Sequence, residues 1–332
     1  MILITIVPVI PHLRHVAIDE ARLRQVCAHL LGPVSDHALP GTLRLPTWDD
    51  DVFISHPPEA RAAQLLLFNT INFSYWGDPK WTIDFHGRSL DGAWGMLGAL
   101  ACAVDEGFPL FEGAYLASIP ASDARYILRG NVEIPMFQER LAIWHEVGRV
   151  LVAQFGGNFG NLLHAAGNDA VALVRLLVTH FPSFNDVAAL ELPSASGGLE
   201  GVTVAFYKRA QLAAAMLYEA FGGEGPGDLR RVEQLTVFAD YKLPQVLRRL
   251  GILHYTPHLA DRVDRREPLE AGSREEVEIR AATVWAGELM RQALVHRFPQ
   301  ITALHVDYWL WHEGQRQGPD VWPYHRTRTI YY

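Results

Sequence analysis

The sequence predicts a mainly α-helical protein with a minor β component. Three observations carry that expectation. Apolar residues recur at a helical rhythm, as at Leu141, Trp144, Val147, Val150 and Leu151. Glycines and prolines fall at the ends of stretches of helical length, as at Gly156-Gly157, Gly222-Gly223 and Gly251. Strand-like alternation is confined to short runs such as Trp81-Thr82-Ile83-Asp84-Phe85, which leads into His86-Gly87.

Taken in order, the opening apolar run is interrupted by Pro8 and lacks a leading basic region. It is too short to span a bilayer and makes a poor signal peptide, so an initial strand or a core-packing segment is expected. Residues 18–31 form an amphipathic stretch ending at Gly32-Pro33. Residues 33–58 are rich in Pro and Asp and irregular, and a helix starts near Glu59. A strand and turn over 81–88 precede a buried helix over 94–104. Residues 135–155 and 158–180 read as two helices, the second ending before Pro182. A Gly/Ser loop over 193–201 and a short strand over 202–206 lead into a helix over 208–221. Residues 243–250, with Pro at the head and Gly251 at the end, and residues 257–263 form a helix–hairpin–helix pattern. Ser273 and Glu276 have capping-box spacing at the head of a long helix to about Phe298. Residues 301–312 form a further short element, and the aromatic stretch 324–332 is expected to pack. No Pro/Gly-rich linker separates two patterned halves. The expectation is therefore one domain over 1–332, with 1–50 an extension packed on its core.

Hydrophobic residues make up 49% and charged residues 20% of the 332, a globular composition. A chain this long buries roughly 75% of its unfolded surface and needs no disulfide or metal staple. Its two cysteines, Cys27 and Cys102, suit a reducing compartment. No stretch is long and apolar enough to cross a membrane, so a soluble, cytoplasmic protein is expected. The net charge of −8 argues against a stable nucleic-acid complex, which rests on many cation–phosphate contacts. GxGxxG, P-loop, HExxH, CxxC and GxSxG motifs are absent, and the fifteen histidines are scattered. No metal or other cofactor is expected.

Four segments could carry chemistry. In Val237-Phe238-Ala239-Asp240-Tyr241-Lys242-Leu243-Pro244-Gln245, Asp240 lies between two aromatics ahead of a helix. An ordinary helix cap is one reading. Against it, a cap next to Pro244 falls more naturally at Leu243, leaving Asp240 able to face a pocket. In Asp307-Tyr308-Trp309-Leu310-Trp311, Asp307 either pairs with an arginine or lines a cavity. A carboxylate among aromatics suits a flat heterocycle with several N–H donors, such as a guanine-type base. Lys208, in Phe206-Tyr207-Lys208-Arg209-Ala210-Gln211, and Lys242 are two of only three lysines in the chain. A cation at a helix start opposes the dipole, which points to an anionic ligand or an acid partner. Asn69-Thr70-Ile71-Asn72-Phe73-Ser74-Tyr75-Trp76 interleaves polar and aromatic residues, as core packing also does. His56 precedes Pro57-Pro58 with no spacing signal of its own.

Together with Glu276-Val277-Glu278-Ile279-Arg280 and the terminal stretch from His325-Arg326 to Tyr332, these segments occur in the order found in a known family. Over residues 56–332 the chain resembles the queuosine salvage proteins, hydrolases that release queuine from queuosine 5′-monophosphate. The resemblance implies a mainly helical fold similar to helix–hairpin–helix DNA glycosylases, acting on a small-molecule substrate; separately, a monomer is expected. It implies that Asp240 faces the ribosyl cation as stabiliser, nucleophile or water-activating base. It also implies that Asp307 reads the donor edge of the base, with Phe238 and Tyr241 stacking on or bordering it. His56 is then a contact to the base or its cyclopentene-diol arm, and Lys208 the contact to the 5′-phosphate, with Arg326 a second candidate. Two other readings stay open. A nucleic-acid base glycosylase would need a basic face, and a non-catalytic binder would not require Asp240.

Overall fold

The computed structural model describes residues 1–31, 39–46, 50–194, 197–316 and 321–332. It is mainly helical, with small two-stranded pairs. Contacts divide the chain into two compact units, each assembled from separated segments. The first comprises Met1–Pro46, Asp186–Lys208 and Glu233–Arg328. The second comprises Thr47–Asn185, Arg209–Val232 and Thr329–Tyr332.

The first unit is organised on the long helix Arg274–Val295. Ser273 accepts a hydrogen bond from the Glu276 N–H, as the sequence predicts. The return bond is displaced by one residue, because the Glu276 carboxylate takes the Gly272 N–H at 3.1 Å. The helix buries two apolar stripes. Ile279, Ala282, Ala286, Met290 and Leu294 pack with Leu243, Leu247, Val306 and Leu310. Val277, Ala281 and Val284 pack with Ile2, Ile6, Val9, Leu190 and Phe206. Both stripes follow the three- and four-residue spacing of a helix face. Helices Glu20–Leu31, Lys242–Arg249 and Ala303–Gly314 lean on it. At Gly287 the packing leaves no room for a side chain, since a Cβ there would stand 2.6 Å from both Val237 methyl groups. Antiparallel pairs join Val16–Ile18 to Leu253–Tyr255 and Val187–Pro193 to Leu199–Ala205. Pro268–Leu269 and Arg326–Thr327 pair in parallel.

The second unit is built around Pro58–Thr70, against which Gly92–Asp105, Phe137–Gln154 and Phe159–Ala166 pack. The hairpin Thr82–Phe85 with Arg88–Asp91 is the predicted strand and turn. Two buried arginines close the C-terminal end of Pro58–Thr70. Arg140 donates to the carbonyls of Ile71 and Phe73, and Arg209 to those of Asn69 and Thr70. They satisfy carbonyls that lack helical partners and place positive charge where the dipole favours it.

Several expectations change. The opening run is the helix Ile2–Ile6 and a 3-10 turn over Val7–His12, with Ile2, Ile6 and Val9 buried. It packs into the core but is no strand, since Pro8 and Pro11 lack the N–H groups a ladder requires. Residues 158–180 form two helices, Phe159–Ala166 and Ala170–His180. Gly167 and Asn168 adopt left-handed backbone, and Asp169 caps the second helix through the Ala172 N–H at 2.8 Å. The strand Val187–Pro193 was not legible, and its partner Leu199–Ala205 claims part of the expected loop. The end of the amphipathic stretch at Gly32-Pro33 and part of the irregular 33–58 stretch lie outside the described residues. Among the described residues no helix is long and apolar enough to cross a membrane.

Candidate active site

Lys208, Phe238, Asp240, Tyr241 and Asp307 all belong to the first unit. Each is placed by identifiable local chemistry. Where the strand Leu199–Ala205 ends, the N–H groups of Phe206 and Tyr207 both donate to the Asp186 carbonyl, at 3.0 and 3.2 Å. Tyr207 turns the chain with a left-handed φ of 49°. The Lys208 N–H then donates to Asp186 Oδ2 at 3.1 Å, opening the helix Lys208–Ala220. Asp186 therefore supplies the negative charge that offsets a lysine at a helix start. Lys208 is itself buried.

The segment before Lys242–Arg249 is held at three points. The Ala239 carbonyl accepts from Arg280 Nε at 3.1 Å. The Phe238 N–H donates to Asp307 Oδ1 at 2.7 Å. The Asp240 N–H donates to the Phe238 carbonyl at 2.7 Å, making a tight turn. The expected cap at Leu243 does not form. The helix begins at Lys242, and Asp240 Oδ1 accepts the N–H groups of Lys242 at 2.7 Å and Leu243 at 3.1 Å. Pro244 tolerates this start because amides of a first helical turn have no helical acceptor. Asp240 is thus a cap, yet only one oxygen is engaged. It is half-buried, and Oδ2 takes no hydrogen bond from any described residue.

Asp307 projects from Ala303–Gly314, whose first turn is fixed by a reciprocal cap between Thr302 and His305. The two readings offered by the sequence resolve in an unexpected way, since Oδ1 is met by a backbone amide and not by an arginine. Burial pushes the Asp307 carboxyl well above the usual carboxylate range. The Phe238 amide opposes that rise, the Asp240 charge adds to it, and Lys208 offsets part of it. The two acids and the lysine therefore lie within electrostatic reach of one another. The Phe238 ring is buried, so it borders the site more than it offers a face. Tyr241 and Tyr324 are both half-buried and form a tilted pair 4.8 Å apart. His325 is buried and neutral, its pKa brought down to about 3 by burial and by Arg280.

His56 belongs to the second unit, where it is exposed and lies just ahead of Pro58–Thr70. A cavity of about 490 Å³ also lies wholly in that unit, lined by Asp84, Ser89, Cys102 and Arg129 among others. It contains none of the candidate catalytic or substrate-binding residues. Among the described residues no cluster of three or more His, Cys, Asp or Glu could hold a metal ion. Sequence reasoning missed Asp186, which carries no signal beyond being one acid among many. It quoted Arg280 and His325 within matching stretches without giving either a role.

An acid with one open oxygen, beside a second, buried acid and a buried lysine, can stabilise a developing cation or move a proton. The family model described as queuosine salvage protein matches residues 54–332. A Sphaerobacter thermophilus protein named queuosine 5′-phosphate N-glycosylase/hydrolase is 46% identical over 287 residues, covering 86% of each chain. A Bos taurus protein of the same name is 34% identical over 96% of this chain and 95% of its own. One from Dictyostelium discoideum is 32% identical over 82% of this chain and 79% of its own. The chain belongs to the queuosine salvage protein family.

Proposed function

We propose that this protein is an N-glycosyl hydrolase that releases queuine and ribose 5-phosphate from queuosine 5′-monophosphate. The observation that carries the reading is the S. thermophilus relative of that name, matched along 86% of both chains. The grouping of Asp240, Asp307 and Lys208 in one unit supports it.

In the reaction the bond from C1′ to the base nitrogen breaks with its electron pair leaving on the base. Water oxygen adds to C1′, and the proton balance closes when the base nitrogen is protonated. Carbon replaces N7 in a 7-deazaguanine, so protonation at that position cannot assist departure. The oxocarbenium-like ribosyl centre then depends more heavily on the enzyme. Asp240 Oδ2 is assigned to that centre, while Oδ1 is held by the helix amides. Asp307 is assigned to the donor edge of the base. Oδ2 accepts one base N–H, and Oδ1 has a second lone pair beyond the one taken by Phe238. Tyr241 lines the base and Phe238 borders it. Lys208 is assigned to the 5′-phosphate. For His56 the assignment to substrate rests on the family resemblance alone.

The fold we assign is that of helix–hairpin–helix glycosylases. Lys242–Arg249 and Pro257–Asp264 flank a turn at Gly251, whose φ is +72°, in support. We also assign the protein to the cytoplasm, as a monomer without a stable nucleic-acid complex. The decisive experiment is incubation with queuosine 5′-monophosphate, followed by chromatography for free queuine and ribose 5-phosphate. Intact nucleotide at the end would refute the enzymatic reading and leave a binding protein.

A further inference from the structure

We propose that the buried Asp186–Arg280 ion pair is a positioning element that sets the backbones carrying Lys208 and Asp240. Both partners are only 2% exposed. The pair is bidentate, with Arg280 Nη1 to Asp186 Oδ1 at 2.9 Å and Nη2 to Oδ2 at 2.5 Å. Each partner then reaches one side of the site. Asp186 accepts the Phe206 and Tyr207 amides on its carbonyl and the Lys208 amide on Oδ2. Arg280 Nε donates to the Ala239 carbonyl, one residue before Asp240, and Nη1 also reaches Glu276 Oε1 at 3.5 Å. Its guanidinium also lies 3.9 Å from the centre of the Phe206 ring, which fixes the plane of the fork.

One ion pair thus ties the start of Lys208–Ala220 to the turn that precedes Lys242–Arg249. Those segments are 32 positions apart, from Lys208 to Asp240. A buried ion pair is a weak source of net stability, because desolvation of both charges offsets their attraction. What this one supplies is direction. A planar fork with five donors engages a carboxylate bidentately and a carbonyl in one fixed geometry, which the three rotatable donors of a lysine ammonium do not reproduce. The left-handed φ at Tyr207 is held from the same carboxyl residue. Asp186 and Arg280 touch none of the reacting atoms in this arrangement. They act through Lys208 and Asp240.

This inference rests on the glycosidase reading for its kinetic test but not for its structural one. In Arg280→Lys, kcat for queuosine 5′-monophosphate should fall about 30-fold, with KM within threefold of the parent. The kcat is normalised to the folded fraction found by urea titration. Amide exchange at Lys208, Lys242 and Leu243 should accelerate at least tenfold. Arg274→Lys, on the same helix and paired with Glu278, should change neither quantity. If Arg280→Lys fails to fold, Asp186→Asn, which keeps the carbonyl acceptor, is measured in its place with the same expectations. Unchanged exchange at those three amides overturns the proposal. So does a loss of kcat that tracks the folded fraction, or an equal loss in Arg274→Lys. A parent protein that releases no queuine refutes the glycosidase reading instead, and the exchange measurement still decides the positioning role.

Discussion

Replacing Asp240 by asparagine separates its two duties. The amide carbonyl can still accept from the Lys242 and Leu243 amides, now met at 2.7 and 3.1 Å, so the helix cap survives. What disappears is the negative charge on Oδ2. A carboxylate about 4 Å from a unit positive charge is worth roughly 4 kcal/mol at an effective dielectric near 20. That corresponds to about a thousandfold in rate. Asp240→Asn should therefore lose about three orders of magnitude in turnover with its melting temperature nearly unchanged. Asp240→Ala should lose the same turnover and also the cap, about 1 kcal/mol or roughly 2 °C. The assay is initial-rate release of queuine, with thermal unfolding of both variants followed in parallel. Near-parental turnover in Asp240→Asn would refute the reasoning. So would an asparagine variant as unstable as the alanine one, since the cap would then depend on charge.

Other perturbations test neighbouring parts of the argument. Asp307→Asn should weaken substrate binding at least tenfold by calorimetry. A raised carboxyl pKa makes the folded state lose stability as pH climbs above the unfolded value, so this variant should also unfold no earlier than the parent at pH 8. Unaltered affinity would remove Asp307 from base recognition. Lys208→Ala should narrow the preference for the nucleotide over the nucleoside, read as a ratio of kcat/KM values. His325 has a folded pKa near 3 against an ordinary value of 6.5, so the unfolded chain binds the extra proton as pH falls below 6.5. Urea titrations should then lose about 2 kcal/mol of stability from this group by pH 5, and His325→Phe should flatten that slope. Gly287→Ala drives a methyl into Val237 and should cost about 1 to 3 kcal/mol, with reduced turnover because Phe238 is the next residue. Parental stability in that variant would show that the segment yields freely.

The parts of the fold that were readable are those set by local chemistry. The Ser273 cap, the glycine after Lys242–Arg249 and the hairpin after Trp81 each follow from a few adjacent residues. The parts that were not readable depend on distant partners. Val187–Pro193 is rich in Ala, Leu and Glu, which favour helix, and it is a strand because Leu199–Ala205 pairs with it. The break at Gly167-Asn168-Asp169 carries recognisable helix stop and start residues, but the continuous apolar rhythm on both sides masked them. In the site, Asp240, Asp307 and Lys208 stood out through their aromatic surroundings and the scarcity of lysine. The position of the cap did not, because Pro244 drew attention to Leu243 while the helix starts one residue earlier. Asp186 was invisible for a plain reason. Its importance lies in what folds around it, and its neighbours in the chain say nothing of that.

The way each unit is stitched from remote stretches bears on biosynthesis. The Ser74 hydroxyl donates to the carbonyls of Thr329 and Tyr332, some 255 to 258 positions downstream. At a translation speed of about 5–20 residues per second, that partner emerges roughly 13 to 50 seconds later. The first unit likewise awaits Asp307 before the Phe238 amide is satisfied. Neither half can therefore mature on the ribosome as a finished module. Apolar helix faces made early in synthesis stay uncovered until those later residues have been added.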